Sequence, residues 1–259
     1  MSRDLSIVIV HYDTPGLLNN CLNSLFSSSV KLHFDVLVID NNSPNPPTET
    51  LISSYKQVKF YFNKKNVGFA AASNQGMHLS SSRYVMLLNS DALIDPVGLT
   101  QLVNFMDGQT DAAVVGPKLV NIDGSLQLSC RRFPTLASIL LRASRLEKLV
   151  KDPVRYYLMS DYDHGLVSQV DWVMGACMLM RRSAVEAVGW MDDKFFMYYE
   201  DIDICYRLSK LGWKVYYSPD VIVTHEHQRM SASLLPNRQS YAHISSLFRL
   251  FNKHPLPWL

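Results

Sequence analysis

The chain has 259 residues, enough to bury a large core, and its 47% hydrophobic and 19% charged residues are typical of a globular rather than a disordered protein. The 25 basic and 23 acidic residues leave a net charge of +2, which gives no argument for nucleic-acid binding. The four cysteines lie far apart, without the spacing of a metal finger or a redox pair, and predict reduced thiols.

Neither a secretory leader nor a membrane span is predicted. The run LSIVIV near the N-terminus is too short for a signal-peptide core and leads directly into the turn HYDTPG. No uncharged apolar run is long enough to cross a bilayer. We therefore expect a cytoplasmic protein, which could still lie on the cytoplasmic face of the inner membrane.

The first half of the chain alternates predicted strands and helices. LSIVIV (5–10) is a continuous β-branched run, as in a strand buried on both faces of a parallel sheet. Thr14, Pro15 and the helical spacing of the following leucines predict a helix. Further elements follow in chain order: strand FDVLVID, helix TETLISSY, strand VKFYF, helix GFAAASNQGMHLSS and strand RYVMLLNSD. This order predicts βαβ units and a mainly parallel sheet with helices on both faces.

Three aspartates come at or just after the ends of these predicted strands: Asp13, Asp40 and Asp91. In such sheets ligands bind outside the carboxyl ends of the strands, so the three side chains are expected at one edge. Carboxylate oxygens there suit a magnesium or manganese ion with a diphosphate. Each aspartate could equally be a strand-end cap or an Asx-type turn.

The pattern changes after about residue 110. GPKLVNIDGSLQLSCRRFPT predicts two strands joined at Asp123-Gly124, and residues 135–160 predict a basic amphipathic helical stretch. A strand and short helix, a carboxylate-rich helix, and the strands KVYYSP and VIVTH follow. We expect a change of organisation near residue 110, a second part at 111–230, and a basic amphipathic tail at 231–259. The basic stretch 142–155 and the tail could contact an anionic membrane or form ordinary solvated faces.

The segment FFMYYEDIDICYRLSKLGW, residues 195–213, places three carboxylates within four residues. If it is helical, Asp201 shares an inward face with Ile204, Cys205, Leu208 and Leu211. Asp203 and Arg207 have the spacing of a surface ion pair, and Glu200 could cap the helix. Asp201 is therefore the best candidate for a general base.

Taken together, these segments resemble the inverting family-2 glycosyltransferases with the A-type fold, in particular the rhamnosyltransferase-like branch that builds bacterial surface polysaccharides. The residues that carry the resemblance are SIVIVHYD, VLVIDNNS, NKKNVGFAAASNQG, YVMLLNSDALI, the long segment from VDWVMGAC to KVYYSP, and VTHEH. The long segment is specific because many spaced positions agree, whereas the shorter strand-end motifs are not. The resemblance implies a Rossmann-like, mostly parallel α/β sheet with acceptor-side elements toward the C-terminus. Within this one domain it implies a nucleotide-sugar-binding half at 1–110 and an acceptor-binding and catalytic half at 111–230.

The resemblance also implies a role for each matched position. Asp201 would deprotonate the acceptor hydroxyl, and Asp91 would hold a divalent metal, manganese or magnesium, with His225 as a further ligand. The remaining implied contacts are Asp13, Asp40, Asn66, Gly68, Asn74 and Asn89 for the nucleotide sugar, with Asp40 at the nucleoside, and Trp172, Gly175 and Glu200 for the acceptor or donor-sugar pocket. Asn89 departs from many A-type enzymes, which carry an aspartate there, so fewer carboxylates face the metal.

The implied donor is dTDP-rhamnose, with UDP-hexoses as the alternative, and the implied acceptor is a saccharide or a polyprenyl-diphosphate-linked saccharide. A nucleotidylyltransferase would share the sheet, but HYDTPGLLNN lacks the Gly-rich, Arg-containing loop that follows its first strand. A non-catalytic binding module of the same fold is a further alternative. The presence of Asp91, Asp201 and His225 argues against that module.

Overall fold

The computed structural model describes residues 4–143, 152–226 and 238–254, and its largest feature is a ten-stranded sheet. The strands are β1 (Leu5–His11), β2 (Phe34–Asp40), β3 (Val58–Phe62), β4 (Tyr84–Leu88), β5 (Ala92–Leu93), β6 (Ala112–Val120), β7 (Leu126–Gln127), β8 (Cys130–Arg131), β9 (Ser168–Val170), β10 (Trp172–Val173), β11 (Cys177–Arg181) and β12 (Lys214–His225). The helices are α1 (Pro15–Leu25), α2 (Glu49–Ser54), α3 (Phe69–His78), α4 (Pro96–Gly108), α5 (Leu136–Ala143), α6 (Asp152–Leu158), α7 (Arg182–Ala187), α8 (Glu200–Lys210) and α9 (Arg238–Lys253).

The main sheet has the order β3-β2-β1-β4-β11-β6-β12-β5, with β7 paired to β6 and β9 paired to β12. Strand β1 lies parallel to β2 and β4, and β3 lies parallel to β2, which confirms the predicted parallel N-terminal half. Strand β11 runs antiparallel to both β4 and β6, so the sheet becomes mixed beyond β4. Strands from 1–110 and from 111–230 share this sheet, and the separate roles of the two halves stay a prediction.

The sheet is buried on both faces because successive side chains of each strand point to opposite sides. In β1, Ile7 and Ile9 belong to one apolar cluster and Val8 belongs to the other. Helices α1 and α4 cover the first cluster, and helices α3 and α8 cover the second. The two-sided burial explains why β1 is a continuous apolar run instead of an alternating one.

Helix α3 packs closely on β1 because Gly76 has no side chain. A β-carbon at Gly76 would lie 2.3 Å from Cγ1 of Val8, a distance that no packed carbon pair adopts. At this position the small residues of the α3 segment serve helix-on-sheet packing.

Gly76→Ala is expected to lower the melting temperature. Overpacking a core costs about 1–3 kcal/mol, and each kcal/mol shifts the melting temperature of a domain of this size by roughly 2–4 °C. Gly16→Ala is the matched control, since a β-carbon there meets nothing within 4 Å. Thermal denaturation of both variants tests the prediction, which equal melting temperatures would contradict.

Two expectations about the carboxylate helix are wrong. Leu211, expected on the inward face, is exposed because α8 ends at Lys210. Asp203, expected in a surface ion pair, is fully buried, although its pair with Arg207 is present at 2.8 Å. The cause is α9, which covers Asp203 and which the periodicity of α8 alone does not reveal.

Two basic side chains of helix α9 form ion pairs within the protein. Arg249 and Lys253 bind the carboxylate of Asp192 at 2.7 and 2.8 Å. The contact of the tail with an anionic membrane stays a prediction. Of the basic stretch 142–155, residues 144–151 lie outside the described residues.

Among the helices that the structure describes, none has both the length and the apolar character needed to cross a bilayer.

Candidate functional site

The carboxyl ends of β1 and β2 are joined by a buried hydrogen-bond network. His11 and Asp40 are paired in register, and Nδ1 of His11 donates to Oδ1 of Asp40 at 2.8 Å. The backbone N–H of Ser43 donates to the other oxygen of Asp40 at 3.2 Å, and that of Thr14 donates to Nε2 of His11 at 3.2 Å. Asp40 is thus buried and hydrogen-bonded at the carboxyl end of β2, and its implied contact with the nucleoside stays a prediction. The partner His11 was not identified from the sequence.

Asp13 ties together the two loops that follow these strands. Its Oδ1 accepts hydrogen bonds from the backbone and side-chain amides of Asn45, at 3.3 and 2.6 Å. Its backbone has a φ of 61°, and its own N–H donates to Ser43 Oγ at 3.0 Å. The exposed Asp13 therefore shapes the edge beside Asp40, and its contact with a nucleotide stays a prediction.

The loop before α3 is built around the amide of Asn41. The Nδ2 group of Asn41 donates to Oδ1 of Asn66 at 3.0 Å and to the carbonyl of Gly68 at 3.2 Å. Gly68 has a φ of 90°, and a β-carbon there would lie 2.6 Å from the carbonyl oxygen of Phe196. Asn66 and Gly68 thus fold this loop and bring it against the segment before α8.

Asn74 lies elsewhere in the fold. Its amide donates to the carbonyl of Met191 at 2.8 Å and accepts from the N–H of Met191 at 3.1 Å. The oxygen and the nitrogen of the Asn74 amide thus both hold the loop after α7. This arrangement does not favour the implied contact between Asn74 and the donor.

Asp91 and His225 meet where β5 pairs with β12. The register sets His225 opposite Ala92, and Nε2 of His225 lies 3.3 Å from Oδ1 of Asp91. Nδ2 of Asn89 lies 3.4 Å from the same nitrogen. The three side chains that the sequence placed at the donor and metal site are therefore together. Asp91 also lines a small cleft with Leu17.

Gln127 fixes the orientation and the tautomer of His225. Its Nε2 donates to the side-chain Oδ1 of Asn121 and to the backbone carbonyl of His225, each at 2.7 Å, so its Oε1 is the atom that faces Nδ1 of His225 at 2.9 Å. An amide oxygen can only accept, so Nδ1 carries a proton and the Nε2 lone pair of the neutral ring points toward Asp91. A sequence signal for Gln127 is absent, because its pairing with His225 spans 98 positions.

These two side chains fit a divalent cation, since an imidazole nitrogen and a carboxylate oxygen converge as acceptors. Within the described ranges no group of three histidine, cysteine, aspartate or glutamate residues forms a candidate metal site. Asp91 and His225 are the two ligands that this geometry offers. Magnesium sites commonly consist of one or two protein ligands completed by substrate phosphates and water.

Asp201 lies in the first turn of α8, and its carboxylate is held by backbone donors. The N–H of Gly175 donates to Oδ2 at 3.2 Å and that of Ile202 donates to Oδ1 at 2.9 Å. Burial raises the pKa of Asp201 above its usual value, while these hydrogen bonds and the charge of Arg131 oppose the rise. A raised pKa makes the carboxylate a stronger base.

A single dipeptide connects Asp201 to the Asp91 edge. The carbonyl of Ala176 accepts a hydrogen bond from the N–H of Asn89 at 2.9 Å, and the N–H of the adjacent Gly175 binds Asp201. The candidate base is thus linked to Asn89, the residue after β4, through two hydrogen bonds and the Gly175-Ala176 dipeptide. That the predicted base and the predicted metal ligands act in one site stays a prediction.

Arg131 is a charged residue of the site that sequence reasoning missed. The register of β8 and β10 sets it opposite Trp172, and its guanidinium lies 5.1 Å from the centre of the indole ring. Trp172 itself is buried, with its N–H donated to the carbonyl of Arg132 at 2.9 Å. Trp172 therefore supports Arg131 from the core, and its direct contact with a sugar stays a prediction. The signal in the sequence was the pair of arginines after a predicted strand.

Glu200 is more deeply buried than Asp201. It is 6% exposed, and its Oε2 has no hydrogen-bond partner in the part of the chain that the structure describes. Burial, and then the neighbouring charge of Asp201, raise the pKa of Glu200 well above its usual value. Of the two adjacent carboxyl groups, Glu200 thus holds a proton the more tightly.

Glu200→Gln is expected to remove part of the pH dependence of stability. The folded state binds the Glu200 proton more tightly than the unfolded state, so wild-type stability falls as pH rises from the usual value of 4.5 through the raised value. The loss reaches about 1.4 kcal/mol per pH unit for one proton. The Glu200→Gln variant has no carboxyl group at this position, so its stability does not fall with pH for this reason.

Urea unfolding of both proteins between about pH 5 and 8 measures the difference. Glu49→Gln is the control, since Glu49 is exposed and its replacement should leave the slope unchanged. Parallel stability curves for wild type and Glu200→Gln would contradict the assignment.

A family model described as "Glycosyl transferase family 2" matches residues 6–189. The chain is 28% identical over 276 residues to the N-acetylglucosaminyl-diphospho-decaprenol L-rhamnosyltransferase of Mycobacterium tuberculosis, covering 100% of this chain and 89% of the relative. It is 24% identical over 270 residues to the dTDP-rhamnosyl transferase RfbF of Shigella flexneri, covering 100% and 83%. It is 28% identical over 167 residues to the rhamnosyltransferase WbbL of Escherichia coli K12, covering 64% and 60%.

Two solved structures share the fold. GalNAc-T7 with UDP, GalNAc and Mn²⁺ superposes with a TM-score of 0.69 at 16% identity, covering 90% of this chain and 45% of that one. Residues 1–349 of S. aureus TarS superpose with a TM-score of 0.58 at 14% identity, covering 86% and 60%. At these identities the likeness concerns the fold alone.

Proposed function

We propose, from the premise that this chain belongs to glycosyltransferase family 2, that it is an inverting rhamnosyltransferase whose general base is Asp201. The chain is a glycosyltransferase, and the A-type fold expected from its sequence is confirmed. Its relatives include proteins named rhamnosyltransferases. The inverting mechanism, the donor and the residue roles are the proposal.

The observation that carries the proposal is the Gly175-Ala176 connection between Asp201 and the Asp91 edge. An acceptor hydroxyl is a poor nucleophile at neutral pH, and a positioned base helps by roughly a hundredfold to ten-thousandfold. Asp201 removes the hydroxyl proton as the oxygen attacks the anomeric carbon of the donor sugar. One displacement with one base and no covalent intermediate inverts that carbon.

Asp91 and His225 are the residues proposed to hold a divalent metal, with Asn89 beside them. A metal bound there supplies positive charge opposite the developing charge of the leaving diphosphate. Support comes from the tautomer that Gln127 imposes on His225 and from the Mn²⁺ that accompanies UDP in the GalNAc-T7 structure. Arg131 adds a second positive charge near Asp201.

The proposed donor is dTDP-rhamnose and the proposed acceptor is a saccharide carried on a polyprenyl diphosphate. Support comes from the names of two relatives, one a dTDP-rhamnosyl transferase and the other an N-acetylglucosaminyl-diphospho-decaprenol rhamnosyltransferase. A UDP-hexose is the alternative donor, since UDP is the nucleotide in the GalNAc-T7 structure. Contact with a membrane would involve the exposed Tyr241, Ile244 and Phe248 of α9, and not its basic residues.

Asp201→Asn is expected to lower the transfer rate by at least about a hundredfold, because the amide does not accept the hydroxyl proton. Binding of dTDP or UDP, measured by calorimetry, is expected to remain. Asp220→Asn is the matched control, since Asp220 is exposed on β12. Transfer by Asp201→Asn at a rate near that of wild type would exclude this base.

Gln127→Ala is expected to weaken metal-dependent nucleotide binding. Loss of a residue that orients a metal-bound histidine typically costs about 10–100-fold in metal affinity. Thermal stability is measured with dTDP and UDP over a range of Mn²⁺, where a saturating ligand adds about 2.7 kcal/mol at a hundred times its dissociation constant. Gln101→Ala, an exposed position of α4, is the control. Equal Mn²⁺ requirements in both variants would contradict the metal assignment.

A further inference from the structure

The two residues before the catalytic helix have a backbone conformation that is unusual for tyrosine. Tyr198 and Tyr199 have φ values of 70° and 68°, in the left-handed region, and they immediately precede Glu200 and Asp201. Non-glycine residues rarely occupy this region, and they remain there only where surrounding contacts require it. The direction in which α8 starts, and with it the orientation of the Asp201 carboxylate, therefore depends on the contacts that hold Tyr198 and Tyr199.

Helix α9 supplies contacts to this strained segment. The ring of His243 lies 5.3 Å from the ring of Tyr198 and 5.0 Å from that of Tyr199, measured between centres. Nε2 of His243 is 3.2 Å from the hydroxyl of Tyr199, and Ser246 Oγ donates to the carbonyl of Met197 at 2.8 Å. One face of α9 thus touches three successive residues before α8.

The C-terminal end of α9 holds the segment on both sides of the tyrosines. Lys253 Nζ lies 2.8 Å from a carboxylate oxygen of Asp192 and 2.8 Å from one of Asp203. Arg249 also binds Asp192, at 2.7 Å, and His254 Nε2 binds Asp203 at 2.7 Å. Burial by itself would raise the pKa of Asp203, but its partners outweigh burial and hold the pKa below its usual value.

We infer that α9 is a clamp that holds residues 192–203 and thereby positions Asp201 for proton abstraction. Ser246, His243 and Lys253 are positioning residues, since they contact the segment and not the reacting atoms. The inference rests on the proposed role of Asp201. The family match ends at residue 189, so both α8 and α9 lie beyond it.

The test variant combines Ser246→Ala with Lys253→Met, which removes the hydrogen bond to Met197 and the cation shared by Asp192 and Asp203. The matched control combines Ser245→Ala with Lys56→Met, because both of these positions are exposed. His243→Phe provides a milder variant that keeps an aromatic ring against the tyrosines but loses the hydrogen bond. If the double variant does not fold, the His243→Phe variant alone tests whether α9 holds this segment.

The first readout is amide hydrogen exchange followed by mass spectrometry, which needs no substrate. Peptides covering residues 195–203 are expected to exchange about tenfold faster or more in the clamp variants, with β1 peptides unchanged. Unchanged exchange in 195–203, or an equal increase in β1, would overturn the clamp. The control variant is expected to match wild type in both regions.

The second readout is turnover. The kcat is expected to fall by as much as about a hundredfold, as for other small displacements of a catalytic group. The dissociation constant for the donor nucleotide should stay within about twofold, since α9 does not touch the Asp91 edge in the described contacts. Lys253→Arg in place of Lys253→Met should restore most of the rate. An unchanged kcat despite faster exchange would overturn the positioning role.

The two readouts separate the inference from the proposed function. If the wild-type protein transfers no sugar from any nucleotide donor, the proposed function fails, and hydrogen exchange alone decides whether α9 clamps residues 192–203. If wild type is active and the clamp variants match it in exchange and in rate, the clamp fails while the glycosyltransferase function stands.

Discussion

Burying a carboxylate costs free energy unless the group is paired, hydrogen-bonded or protonated, and the first turn of α8 contains three carboxylates that leave bulk solvent. Each of the three carboxylates has different partners. Asp203 is surrounded by Arg207, Lys253 and His254, whereas Asp201 accepts two backbone hydrogen bonds within range of the charge of Arg131. Glu200 has no cationic partner in the described chain, and its pKa is raised well above the usual value. The three neighbouring carboxyl groups thus differ in their partners, and the pKa of Asp203 is lowered while those of Asp201 and Glu200 are raised.

The topology of the sheet then brings residues that are distant in the chain to the end of β4. Strand β12 is parallel to β6 and antiparallel to β5, so its last residue, His225, arrives beside Asp91 from 134 positions further along the chain. The antiparallel strand β11 enters next to β4, and the residues just before it link Asn89 to Asp201. A fully parallel sheet would have needed another connection to bring these groups together. The mixed half of the sheet is thus what assembles the site.

The basic residues of the C-terminal helix have partners that its composition alone does not reveal. A helix with basic and aromatic residues suggests a surface that binds anionic lipid. Arg249 and Lys253 are directed instead toward two aspartates of the same chain, and Leu250 is buried with them. The outer face keeps Tyr241, Ile244 and Phe248, which are apolar or aromatic and carry no charge. The cations of α9 therefore contribute to the order of the catalytic segment.

The sequence by itself determined the features that depend on local patterns. The β-branched run of β1 and the helix signals at Thr14 and Pro15 sufficed for the sheet's parallel half, and the segments within residues 6–189 sufficed for the family. The family resemblance assigned Asn89, Asp91 and His225 to the donor and metal site, and these three side chains lie together in the structure. Only the tertiary structure decided the partners: His11 with Asp40, Gln127 with His225, and Lys253 with Asp203. These pairs are separated by 29 positions or more, and a periodic pattern shows which face of an element is buried but not which distant charge or hydrogen bond will satisfy a polar group there.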